Sequence, residues 1–131
     1  MTQYGDVVKV PGTDSVSEVS PGDILASYAR LTQRGCTVLK ESSGEVIAAG
    51  TVLGRITASG LYVPYDEDGV DDGREVAVGV LRQAVDTTGG NALGNIFISG
   101  IIKYDLLVGI DAGAVADLNG RYDEVMNTFI F

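Results

Sequence analysis

The chain has 131 residues, enough for one domain with a real core and too few for two ordinary ones. Its 18 acidic residues outweigh 9 basic ones to give a net charge of -9, which repels phosphate and removes any electrostatic drive toward nucleic acid or anionic lipid. There is no histidine and Cys36 is the single cysteine, which excludes histidine-based triads, cysteine–histidine pairs, histidine zinc sites and an intramolecular disulfide.

No apolar run approaches the roughly 18 residues of a membrane span, and the start lacks a basic flank followed by an apolar core, so neither insertion nor export is expected. The lone cysteine fits an intracellular assembly compartment better than a disulfide-stapled secreted protein. The 18 glycines suit many tight turns, and a mainly β protein with short helices is the expected class.

In chain order, residues 1–23 read as an extended arm and residues 24–131 as the folded core. The arm holds one short strand-like run, Val7, Val8, Lys9 and Val10, followed by polar turn-forming chain from Pro11 to Gly22. Composition is equally consistent with a terminus without purpose and with a partner-binding arm. Ile24, Leu25, Tyr28 and Leu31 sit at i, i+1, i+4 and i+7, which fits a helix face, while irregular extended chain is equally open.

From Gly35 the pattern turns β. Cys36 to Lys40 is a strand, where the thiol is expected to be buried and inert, and Glu41 to Gly44 is a turn. Val76, Val78 and Val80 alternate with Glu75, Ala77 and Gly79, which predicts a strand whose β-branched face meets the core and whose small face allows close backbone approach. Asn95 to Ile102 is the most continuous apolar run, predicted as a central buried strand kinked at Gly100.

Asp111 to Leu118 predicts a short helix with an acidic start and Asn119-Gly120 as its stop. The end, Met126 to Phe131, is too apolar to be left in water and is expected on the core or on a neighbouring subunit.

Two segments have site-like chemistry. In Asp66-Glu67-Asp68-Gly69-Val70-Asp71-Asp72-Gly73, Asp66 and Asp68 could fill the first and third positions of a calcium loop. The glycine, however, falls fourth where the sixth is needed, and Ala77 stands where the bidentate glutamate belongs. A solvated acidic loop is the favoured reading. Asp86-Thr87-Thr88-Gly89-Gly90-Asn91 reads as a strand connection. The glycines at 50 and 54 make no phosphate loop, because Arg55-Ile56 follows in place of lysine and a hydroxyl. No catalytic, cofactor-binding or metal-ligating residue is assigned.

The ordered set Ala49-Gly50-Thr51-Val52-Leu53-Gly54, Tyr62-Val63-Pro64-Tyr65-Asp66, Ala77-Val78-Gly79-Val80-Leu81 and Val85-Asp86-Thr87 resembles the head decoration proteins of lambda-like tailed phages. The resemblance covers roughly Val46 to Ile102, and the tail after Tyr104 has no counterpart motif. It implies a compact domain of the β-clip kind and a homotrimer on the outer surface of the virion capsid, at three-fold and quasi-three-fold positions. It further implies that the major capsid protein is the partner, and that Val7, Val8, Lys9 and Val10 add a strand to a capsid sheet. Tyr62, Tyr65, Phe129, Ile130 and Phe131 are the expected trimer or capsid interface. The rival readings are a small trimeric β-clip enzyme acting on nucleotides and a carbohydrate- or host-surface-binding module that stacks sugars on Tyr62 and Tyr65.

Overall fold

A computed structural model describes residues 23–131. The proposed arm strand Val7–Val10 therefore lies outside the described residues. The described chain is mainly β, with nine strands and one short α-helix. Among the described residues no helix is long and apolar enough to cross a membrane.

Strand β1 (Leu25–Val38) and strand β7 (Ala92–Lys103) form a long antiparallel ladder, in register from Gln33↔Phe97 to Val38↔Ala92. The segment that fitted either a helix face or extended chain is thus extended over Leu25–Leu31. It is irregular there: Ser27 faces Ile101 and Thr32 faces Ser99, so three extra residues of β1 bulge out, with Arg30 at φ 62° and its carbonyl held by the Ser99 hydroxyl at 2.9 Å. Pairing with β7, which no local signal announces, overrides the i, i+4 pattern.

The pairings close into a ring. β1 meets β4 (Tyr62–Pro64) in parallel at Val38↔Tyr62, β4 pairs with β3 (Val52–Arg55), β3 with β5 (Ala77–Leu81), β5 with β7, and β7 with β1. On its other edge β7 also carries β9 (Thr128–Ile130), which pairs with β8 (Arg121–Asp123). A separate two-stranded pairing joins β2 (Val46–Ile47) to β6 (Val85–Asp86).

Because strand side chains alternate in direction, the ring sorts the apolar residues into two clusters. Cys36 and Val38 of β1, Tyr62 of β4, Leu53 of β3, Leu81 of β5 and Ile96 of β7 meet on one face, where all five strands contribute. Their neighbours Val52, Val80 and Phe97 point to the other face and pack with Leu25, Ile102, Phe129 and Ala114. Cys36 is buried as expected, and burial pushes its thiol pKa up.

Strand β5 departs from simple alternation. Val76 precedes the strand and is 48% exposed, Val78 is half-buried, and the fully buried residues are the adjacent Val80 and Leu81. The pairing with β3 slips between Leu53↔Gly79 and Gly54↔Ala77, which puts Ala77 and Val80 on one face despite their odd spacing. The expected close approach is present at Gly79, where a Cβ would stand 2.5 Å from the Phe97 carbonyl oxygen.

Strand β7 runs continuously through Gly100, where Gly100 and Phe131 exchange both backbone hydrogen bonds at 3.0 Å. The irregularity is taken up by β1 opposite. A 3-10 turn (Tyr104–Leu106) leads to helix α1 (Ala112–Leu118), which forms where local signals placed it. The Asp111 side chain caps Ala114 N–H at 2.8 Å, and Asn119 ends the helix in the left-handed region at φ 54° while Gly120 N–H returns to Val115 O at 3.0 Å.

Of the two expectations for the apolar end, Phe129 and Phe131 pack on the chain's own core, with ring centroids 5.4 Å apart. Met126 does not follow them: it and Val125 stand at the β8–β9 tip, 69% and 87% exposed. Phe129→Ala should therefore cost about 3–5 kcal/mol of unfolding free energy, whereas Val125→Ala should stay within about 0.5 kcal/mol. Urea denaturation of the two variants checks this; equal midpoints would show that the C-terminal strand is not part of the core.

Candidate functional site

The two tyrosines expected at an interface lie inside the folded chain. Tyr62 is 9% exposed and sits beneath the Arg55 guanidinium, whose carbon is 6.0 Å from the ring centroid. Tyr65 is 8% exposed, and its hydroxyl donates to Asp111 Oδ1 at 3.1 Å. Burial and the adjacent carboxylate of Asp111 push that phenol far above its ordinary pKa, so it remains a donor throughout the accessible pH range. Asp111 thereby joins the end of β4 to the first turn of α1. Neither ring is presented to solvent as a platform for a sugar.

Phe129 and Phe131 are also buried, which leaves Ile130 as the one partly exposed member of the C-terminal trio. Among the described residues the large apolar side chains most open to water are Leu93, Val125 and Met126, at 83%, 87% and 69%. Only Met126 belonged to a segment singled out by sequence. Val125 and Leu93 lie just outside the segments singled out there, Met126–Phe131 and Asn95–Ile102.

The acidic loop spends its carboxylates on itself and on Arg74. Asp66 Oδ1 accepts from Asp68 N–H at 3.1 Å, and Glu75 Oε1 accepts from Gly73 N–H at 2.7 Å. Arg74 grips Asp72 through Nε and Nη2, each at 3.1 Å, and reaches Glu41 at 2.8 Å. This pairing holds the Asp72 carboxyl below its usual range, whereas a hydrogen bond and like charge from Glu75 raise Asp71. Among the described residues no group of three potential ligands could hold a metal ion. The loop from Asp86 to Asn91 connects β6 to β7; Thr87 is buried and exchanges hydrogen bonds with Glu45, both at 2.9 Å.

One polar anchor has no counterpart in the sequence reading. Arg82, just after β5, donates to Asp23 Oδ2 at 2.7 Å and to Gln33 Oε1 at 2.6 Å, and its guanidinium lies 5.3 Å from the Phe97 ring centroid. Asp23 Oδ1 also accepts from Leu25 N–H at 3.1 Å. The ion pair is mostly shielded, with side chains 18% and 17% exposed, and it fixes the point where the chain enters β1. Desolvation opposes ionisation of Asp23, but the bonds from Arg82 and Leu25 win and its pKa is lowered. A partner 59 positions away leaves no local trace in sequence.

Comparison with known protein families gives a match over residues 15–120 to the family model described as Bacteriophage lambda head decoration protein D. No curated protein matches the chain.

Because the acidic carboxylates are already engaged, a chelator should leave the melting temperature unchanged, and a loss restored by calcium would expose a site at Asp66, Asp68, Asp71 or Asp72. For Asp23 the folded pKa lies below the unfolded value of about 3.9, so its contribution is complete above that value and lost as pH falls through the folded one. The stability gap between the protein and Asp23→Asn should be flat from about pH 5 to 7 and shrink below about pH 4. A gap that widens on acidification would contradict the pairing.

Proposed function

The chain belongs to the bacteriophage lambda head decoration protein D family, and on that premise we propose that it binds the outside of the mature phage capsid as a homotrimer and stabilises the shell against the pressure of packaged DNA. Its work is mechanical: it clamps adjacent subunits of the major capsid protein at three-fold and quasi-three-fold positions and has no catalytic step. The observation that carries this reading is the family match across most of the chain. A β core closed into a ring and pinned at Asp23 and Asp111 is consistent with it, since such a body transmits load without yielding.

Attachment is by the arm. Residues 1–23 extend from the anchored start of β1, and Val7, Val8, Lys9 and Val10 add as a strand to a capsid sheet. In that mode main-chain hydrogen bonds give the affinity and the ordering of the arm is offset only on binding. Three arms on one trimer gain avidity through effective concentration, so the protein holds an expanded shell while ignoring lone capsid subunits.

For the trimer contact, Ile130 with the exposed tip residues Val125 and Met126 supplies surface for a neighbour, while Phe129 and Phe131 pack beneath Ile130's strand and Tyr62 and Tyr65 lie deeper in the core. The assembled species should weigh three times 13.7 kDa in sedimentation.

Removing residues 1–20 should leave the core folded, because the buried core residues of the described chain begin at Ile24. Co-sedimentation with expanded, undecorated capsids should nevertheless fall by at least about tenfold, equivalent to ~1.4 kcal/mol. Val8→Pro should act in the same direction, since proline removes an amide donor and is excluded from central strands. Undiminished binding by the truncated protein, with an unchanged circular dichroism spectrum, would refute attachment through the arm.

A further inference from the structure

The ring of strands closes at one point. Val38 pairs with Tyr62, and Leu39 N–H donates to the Tyr62 carbonyl at 2.9 Å; before Thr37, β1 has no neighbour on that side among the described residues. Backbone groups alternate in direction along a strand, so the amides of Thr37, Gly35 and Gln33 point the same way as that of Leu39, into the gap. A cleft of about 660 Å³ opens there, bounded by Arg34, Gly35, Arg55, Gly60, Leu61 and Leu93.

Two independent features say what fits it. Arg34 shares the inward parity of Cys36 and Val38, and Arg55 that of Leu53, so both guanidiniums flank the mouth of the ring. Neither meets a carboxylate among the described residues: Arg55 has only the Gly60 carbonyl at 3.4 Å and the Tyr62 ring, while Arg74 and Arg82 hold Glu41, Asp72 and Asp23. In a chain with twice as many acidic as basic residues, two such arginines side by side at a free strand edge form a local exception to the negative field. Gly35 leaves room for an approaching backbone, since a Cβ there would find nothing nearer than the Gly94 carbonyl oxygen at 4.0 Å, and Leu93 offers exposed apolar surface at the rim.

We propose that this cleft receives an extended acidic segment of the capsid shell protein, which adds as a strand along Gln33–Thr37 and places carboxylates on Arg34 and Arg55. The inference rests on the capsid-binding reading above and adds a second, reciprocal strand contact: the arm gives a strand to the shell, and the core accepts one. Arginine suits this task because its planar fork takes a carboxylate through two parallel hydrogen bonds.

The test uses the full chain and expanded, undecorated capsids. Arg34→Glu reverses one charge in the cleft, and Arg121→Glu makes the same change in net charge on exposed strand β8, outside it. Both side chains are exposed, so both variants should melt like the unaltered protein. Arg34→Glu should weaken co-sedimentation by at least about tenfold, with a further loss for Arg34→Glu/Arg55→Glu, while Arg121→Glu stays within about twofold. Equal binding by Arg34→Glu and Arg121→Glu, in a preparation where removing the arm abolishes binding, would overturn the cleft and leave the capsid reading standing. Dissociation of the trimer by Arg34→Glu would seat a second copy in the cleft and also overturn the proposal. Failure of the unaltered protein to bind capsids would overturn both readings.

Discussion

Strand β7 is paired along both edges, and the rest of the fold depends on that. On one side it holds β1 over almost its whole length; on the other it holds β5 through Phe97 and Ile96 and β9 through Ile101, Ile102 and Lys103. Adjacent residues Ile96 and Phe97, both fully buried, therefore feed the two apolar clusters from one position in the chain. A strand buried on both faces reads as a continuous apolar run, which is why this segment stood out. Each edge also satisfies backbone groups that burial would otherwise strand at about 1–3 kcal/mol apiece.

Two polar contacts convert this apolar core into a body with fixed geometry. Asp111 accepts from the Tyr65 hydroxyl and from the helix, and Arg82 ties Asp23 and Gln33 to the end of β5. Both join segments far apart in sequence; the Arg82 and Asp23 side chains are mostly shielded, and Tyr65 is buried beneath the exposed Asp111. In this member of the head decoration family the two contacts hold the entry to β1 and the start of α1 against the ring.

What could be read from sequence was what local chemistry decides. Helix α1 needed only Asp111 as its cap and Asn119-Gly120 as its stop, and the turn at Glu41–Gly44 closes as expected through Gly44 N–H to Glu41 O at 2.8 Å. What could not be read was decided by partners far along the chain. The slip of β5 against β3 shifts the core face from Val76 to Ala77, and the pairing of β1 with β7 turns a helical spacing into an extended strand. Tyr62, Tyr65, Phe129 and Phe131, expected at a trimer or capsid interface, pack into the core that the ring and β9 assemble. The cleft beside Arg34 is likewise invisible locally, since it exists only where β1 and β4 part after a single bridge.

Electron cryomicroscopy of expanded capsids incubated with the protein tests the central claim most directly. The account predicts added density on the outer surface at three-fold and quasi-three-fold positions, each with the volume of three copies, linked to the shell by extended chain. Capsids with bare three-fold positions, or density of a single copy elsewhere on the shell, would contradict it.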